Sequence, residues 1–256
     1  MRKALLTIIN SLFILLSANC LAGGTVRLSA GEWKPYISES LDNYGYFTQI
    51  VTEAFAAAGI EAQYDFYPWK RAVYQARTGV LDGCIAIAKS EDREREFWFS
   101  EQPILVGERV FFYRKEQPFD WVSVYDLRGI PLGATLEYFY GDDFEKAEES
   151  GELDVDRVTT DSQNFKKLVA KRIQAFPITK EVGYYILNTE FDAESAKMIT
   201  HHPKPLITTS FYVILSKANP ENENLMKTFN KGFEALKKSG RYEELTGLLQ
   251  RSVQGN

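Results

Sequence analysis

Between Val26 and Ala88 the chain alternates strand-like runs with amphipathic stretches on short links, and this rhythm restricts the fold more than any other feature. Residues 26–30 alternate as a first strand. Phe47, Ile50, Val51, Ala54, Phe55 and Ala58 recur at three- and four-residue spacing, which predicts a helix over 45–58 stopped by Gly59. Residues 62–67 alternate again. Pro68 opens a short helix through Lys70 to Arg77, closed by Gly79. Leu81-Asp82-Gly83 then turns into Cys84-Ile85-Ala86-Ile87-Ala88, an apolar run short enough for a strand covered on both faces. Strand, helix, strand, helix, strand on short links is the pattern of a parallel doubly wound sheet. Open sheets of this kind hold their ligands beyond the carboxyl ends of the strands. Arg93, just past Ala88, is therefore the anion anchor that this sequence offers to a cleft.

Glu108-Arg109-Val110-Phe111-Phe112-Tyr113 reads as a further strand. Lys115-Glu116-Gln117-Pro118 is then the expected crossover to a second domain. There the rhythm restarts, with strands at 130–134, 155–158 and 175–178 and helices at 140–149, 162–171 and 180–187. A strand at 210–215 and two helices finish the chain. The first helix has Leu225, Met226, Phe229, Phe233 and Leu236 on one face and stops at Gly240; the second has Tyr242, Leu245, Leu248 and Leu249. A chain of 256 residues has room for two domains of ordinary size.

Arg2 and Lys3 precede an apolar stretch, Ala4 to Leu16, and then small residues, which is the pattern of a secretory signal cut after Ala22. The stretch is short for a membrane span. Cys20 opens a lipid-anchor alternative, which Asn19 before it disfavours. Losing Arg2 and Lys3 takes the net charge from −5 to −7, and an acidic exported chain is a poor partner for nucleic acid or anionic membrane. Cys84 is then the only cysteine, so no disulfide can form within the chain, and its apolar setting is that of a buried structural thiol. His201 and His202 are the only histidines. Neighbours on a strand point to opposite faces and no cysteine cluster accompanies them, so no metal site is expected. Neither a phosphate-binding glycine loop nor a nucleophile elbow is present.

Several short motifs follow one another in order. They are Trp33-Lys34-Pro35-Tyr36, Gly45-Tyr46, Pro68-Trp69-Lys70-Arg71-Ala72, Gly79 with Leu81-Asp82-Gly83, and Ser90-Glu91-Asp92-Arg93-Glu94. Phe99-Ser100-Glu101 with Pro103, Asp126-Leu127 with Gly129, Lys171-Arg172-Ile173 and Val182-Gly183-Tyr184-Tyr185 complete the set. Together they resemble the periplasmic solute-binding proteins of family 3, the polar amino-acid-type substrate-binding subunits of ABC importers, over nearly the whole chain after the signal. The resemblance implies an α/β fold of two lobes, type II-like, each a mostly parallel sheet flanked by helices, with a ligand cleft between them. Lobe 1 would be discontinuous, 23–113 plus 210–256, and lobe 2 would span 114–209, with two crossing segments as the hinge. It also implies a periplasmic monomer without a cofactor, no enzyme, that delivers a small molecule to an inner-membrane ABC permease.

In that family the arginine matching Arg93 grips the ligand carboxylate, and a planar guanidinium fork suits the task. The competing reading is a surface salt bridge with Glu91, Asp92 or Glu94. Trp33 matches an aromatic that packs on the ligand; Tyr36, Tyr46 and Trp69 are further wall candidates, with core packing as the alternative for each. Arg71 either supports the cleft or caps the Pro68 helix. Gly133-Ala134-Thr135 matches a loop whose amides and hydroxyl hold the carboxylate at a helix start.

The chain also departs from the family pattern. Hydroxyl residues are usual before the arginine, but here Ile85, Ala86, Ile87 and Ala88 are apolar, and of these Ala88 is the ligand-binding candidate. The aspartate that receives the ligand ammonium is matched by Thr179, and a neutral hydroxyl cannot pair a desolvated ammonium. Glu137 is the candidate substitute. The expected ligand is therefore a small polar carboxylate-bearing molecule, an amino acid or a related compound. Two other classes share the fold: an enzyme of the cyclohexadienyl dehydratase type with Glu32 or Glu137 as its acid, and a ligand-sensing subunit.

Overall fold

In the computed structural model, which describes residues 24–136 and 138–254, β1 (Thr25–Ala30) and β2 (Glu61–Phe66) pair in parallel around α1 (Tyr46–Ala57). The expected signal and its cleavage point lie outside the described residues, as does Glu137. α1 buries Phe47, Ile50, Val51, Ala54 and Phe55, the face given by their spacing. α2 (Trp69–Arg77) returns to β3 (Gly83–Ala88), which joins β1 in parallel at Gly83 and Cys84. α3 (Glu91–Glu96), the short β4 (Phe97–Phe99) and β5 (Leu105–Arg114) follow. The second half holds β6 (Leu132–Thr135), α4 (Asp142–Glu149), β7 (Val155–Val158), α5 (Asp161–Val169) and β8 (Ala175–Thr179). Then come α6 (Lys180–Glu190), α7 (Ala193–Met198), β9 (Ile199–Ser216), α8 (Asn222–Lys238) and α9 (Arg241–Gln254).

The strand order is β2-β1-β3-β9-β5-β8-β6-β7, with β4 also on β9. Two parallel trios, β2-β1-β3 and β7-β6-β8, therefore stand at the two ends of the sheet, one in each lobe. An antiparallel ribbon of β5 and β9 joins them. β9 carries the link by pairing with β5 over Ile199–Phe211 and with β3 over Phe211–Leu215. It runs 18 residues, well beyond the expected strand at 210–215. Its first half contains Pro203 and Pro205, which break the usual strand pattern. The stretch 115–118, read as a crossover, is a turn: β5 has already paired with β8 at Arg109–Tyr113.

β3 differs from the expected buried parallel strand in one respect. Its second edge is antiparallel to β9, and that register breaks between Cys84 and Ile87. Ala86 sits in the break at φ 59°, a left-handed conformation that a residue with a Cβ rarely adopts. The bulge re-aims the end of the strand, and Ala86, Ile87 and Ala88 come to line a cavity. Cys84, one turn of the pleat earlier, is fully buried with Ala72, Ala76, Phe97 and Ile214, as its apolar setting predicts.

The main core gathers α1, β1, α8 and α9 and continues into Phe165, Phe176, Ile178 and Val182 of the second lobe. A separate core under β6 packs Phe111, Phe119, Trp121, Leu127, Tyr140 and Phe144. Among the described residues no helix is long and apolar enough to cross a membrane.

Candidate functional site

A cavity of about 530 Å³ opens between the lobes, beyond the carboxyl ends of β3 and β8. The first lobe contributes Trp33, Trp69, the Ala86–Ala88 strand end and Arg93; Phe211 enters from β9. Arg109 enters from β5, and the second lobe contributes Tyr138, Asp161, Ile178, Thr179 and Val182.

Ser90 places Arg93. It caps α3 and its hydroxyl accepts the Arg93 N–H at 3.4 Å, so the helix starts immediately after the strand. The Arg93 Nη1 then reaches back and donates to the Ala88 carbonyl at 2.8 Å. Among the described residues no carboxylate pairs with Arg93: Arg95 takes Asp92, and Lys89 lies 4.0 Å from Glu94. The surface salt bridge is thus not formed. One arm of the guanidinium is anchored, and the group stands in the cavity wall.

Trp33 is set by a tight turn in which its N–H donates to the Ile37 carbonyl at 2.7 Å. Its ring packs between Tyr36 and Phe211, with centroids at 4.4 and 4.7 Å. Tyr36 itself is 1% exposed and does not line the cavity. It backs Trp33, and its hydroxyl donates to Glu181 Oε2 at 2.8 Å, a bond from one lobe to the other. Burial, and then the Glu181 charge, hold its pKa well above the usual phenol range. Trp69 opens α2 and lies on the backbone of Gly31, where an added Cβ would fall 2.4 Å from the indole ring. Only glycine permits that approach. Tyr46 packs against the main core, and Arg71 lies over the Tyr67 ring outside the cavity. Glu32 accepts the Glu39 N–H and is not part of the wall.

In the second lobe Thr179 ends β8, largely buried, opposite Arg109 of β5. Thr135 is placed otherwise than expected. Its N–H donates to the Tyr140 hydroxyl at 2.7 Å. Its hydroxyl donates to Asp161 Oδ1 at 2.6 Å and accepts from Asn164 at 3.1 Å. Both groups expected to hold a carboxylate are thus engaged within the protein, and Thr135 supports Asp161 instead. Nor does a helix start there; α4 begins only at Asp142.

The acid in the wall is Asp161, the first residue of α5 after its Thr160 cap. It also accepts from the Tyr138 hydroxyl at 3.4 Å. Burial raises its pKa, while the Thr135 hydrogen bond and the Arg109 charge pull it back down. Arg109 is the second guanidinium. It lies 5.3 Å from the Tyr138 ring centre and 4.9 Å from that of Tyr140, and donates to the Phe139 carbonyl. Its Nε is buried without a hydrogen bond, and burial lowers its pKa. Sequence reasoning passed over both. The signals were a charged residue inside the apolar run Val110-Phe111-Phe112 and an acid shortly past the end of β7.

A cavity at the strand ends of two α/β lobes, walled by indoles and arginines, suits a small anionic solute. The family model for bacterial extracellular solute-binding proteins, family 3, matches residues 29–247.

The chain belongs to that family.

Solved structures agree with this fold. Substrate-binding domain 2 of GlnP from Lactococcus lactis, in an open conformation, is 16% identical and superposes with a TM-score of 0.68, over 92% of this chain and 97% of that one. An ancestral arginine-binding protein bound to arginine is 19% identical, with a TM-score of 0.67 over 88% of this chain and 98% of that one. A histidine kinase sensor domain is 20% identical, with a TM-score of 0.66 over 89% of this chain and 96% of that one. At such identities the likeness shows the fold alone. No curated protein matches the chain. For a family 3 solute-binding protein the cavity between the lobes is the place to seek a ligand, and Arg93, Trp33, Trp69, Ala88 and Thr179 all stand in its wall.

Proposed function

We propose that this family 3 protein is exported to the periplasm, captures a small polar carboxylate-bearing molecule between its lobes, and presents it to an inner-membrane ABC permease. The observation that carries the reading is Arg93, a cavity-wall guanidinium pinned by the Ala88 carbonyl and paired with no described carboxylate. Its free fork matches a carboxylate. Trp33 and Trp69 would sandwich the rest of the ligand, and Ala88 leaves room where a hydroxyl would bond it. Micromolar binding needs about 8 kcal/mol, and removing one partner of a buried charge pair costs about 2–5 kcal/mol. Arg93 therefore supplies the orientation and part of the affinity, and the indole walls supply the remainder.

In this reading the lobes are 23–113 with 210–256, and 114–209, and the β5–β9 ribbon is the hinge about which they close. The protein acts as a monomer and does no chemistry on its ligand. A second reading, a ligand sensor for a membrane kinase, draws on the likeness to a histidine kinase sensor domain. A thermal-shift screen of amino acids and organic acids tests the shared core of both. A hit lost in Arg93→Gln supports it; binding that Arg93→Gln leaves intact contradicts it. Ligand-dependent stimulation of a permease ATPase would then favour the importer over the sensor.

A further inference from the structure

We infer that the ligand carries two anionic groups, one held by Arg93 and the other by Arg109, so that the cavity selects small dicarboxylates. This rests on the binding-protein reading above and narrows it to a substrate class. The two guanidiniums enter one cavity from different elements, Arg93 from α3 and Arg109 from β5. Arg109 is mostly buried, and the groups that touch it are neutral, the Phe139 carbonyl and the faces of Tyr138 and Tyr140, while the Asp161 and Glu145 charges act on it from beyond ion-pair distance. No described carboxylate forms an ion pair with it, and its buried Nε has no hydrogen bond. A desolvated guanidinium with no carboxylate in contact is costly, so such a group is kept where an anion arrives.

The charges around it point the same way. Arg77 is already paired with Glu96 at 2.8 Å, and Lys70 is exposed at the rim. Asp161 is the one described acid in the wall, and it is occupied by the hydroxyls of Thr135 and Tyr138. Two guanidiniums thus face one carboxylate. A ligand with a cationic side chain would bring a third positive charge beside them, which like-charge repulsion in a desolvated site penalises. The second anion of a dicarboxylate instead completes Arg109. An ammonium on the same ligand would have Asp161 as its only described acidic partner, in place of the aspartate that Thr179 replaces.

Isothermal titration of the protein tests this. The panel is succinate, glutarate, L-aspartate and L-glutamate; the single-carboxylate compounds butyrate, L-asparagine and L-glutamine; and L-arginine and L-lysine. The dicarboxylates are expected to bind most tightly. Arg109→Gln should weaken them by about 30-fold or more and change the single-carboxylate compounds by less than about 3-fold. Arg109→Lys, which keeps the charge without the fork, should retain the preference at reduced affinity. A strut that only holds the Phe139 loop would instead make Arg109→Gln weaken every ligand alike, and that result overturns the inference. So does tightest binding of arginine, lysine or a single-carboxylate compound, or no binding by the panel at all. In those cases the binding-protein reading still stands if another carboxylate binds and Arg93→Gln abolishes it. Asp161→Asn separates the two sources of the chemistry: weaker aspartate or glutamate identifies an amino dicarboxylate, and tighter succinate or glutarate an amine-free one.

Discussion

Cys84 and Arg93 stand at the two ends of one strand-to-helix passage and have opposite chemistry. The Cys84 thiol is buried, and that burial pushes its pKa up to about 12. The thiolate is the reactive form, so at neutral pH the residue is inert. In a chain starting at Gly23, Ellman's reagent should find no thiol until denaturant is added; rapid reaction of the native protein would contradict the packing. Arg93, by contrast, keeps one arm on a backbone carbonyl and the rest of its fork toward the cavity. Its place was legible because a strand end and a charged residue fall together in the sequence. Thr135 was not legible in the same way. Its role turns on a hydrogen bond to Asp161, 26 residues away, and no local pattern encodes that pairing.

Among the elements, α8 packs on α1 with a glycine at the contact. Gly232 lies on the backbone of α1, where an added Cβ would sit 2.0 Å from the Ala54 carbonyl oxygen. Gly232→Ala should force the helices apart and lower Tm by about 2–10 °C in a calorimetric scan; an unchanged Tm would show that the contact gives way freely. Phe229 on Phe55, at 4.7 Å, belongs to the same contact. Amphipathic spacing gave this helix pair directly, because three- and four-residue recurrence is a local property. The ribbon was harder to read. The first half of β9 carries two prolines and two adjacent histidines, and it is a strand because β5 supplies partners along it. His201 meets the Tyr184 hydroxyl at 2.6 Å while His202 meets Asp120 at 3.1 Å, so the two rings do face apart. The bulge at Ala86 was equally hidden, since alanine is ordinary in a strand and only the register with β9 demands the left-handed turn.

For the molecule as a whole, α9 ties the lobes together by packing on α6 as well as on α1 and α8. Its Leu245 and Leu249 enter the core that holds Val182 and Ile186 of α6, while Arg241 grips Glu53 of α1 through two bonds of 2.8 Å. The Arg241 hydrogen bond lowers the Glu53 pKa. A depressed folded-state pKa means that the pair stabilises above the unfolded carboxyl value, about 4.3, and that this contribution fades as pH falls through the lowered one. Glu53→Gln should therefore melt earlier than the parent at neutral pH, with the gap closing below about pH 4; a constant gap across pH would assign the loss to packing. Closure of the lobes on a ligand acts on the same scale. At a ligand concentration of 100 times Kd, linkage adds about 2.7 kcal/mol, which corresponds to a Tm rise of about 5–10 °C, and the environment of Trp33 and Trp69 should change with it in fluorescence.

The most direct test of a carboxylate held by Arg93 is calorimetric titration of the best ligand from the screen into the parent protein and into Arg93→Gln. The expected result is at least micromolar binding to the parent, a loss of about 30-fold or more in the variant, and equal melting temperatures for the two unliganded proteins. Equal affinities would contradict it.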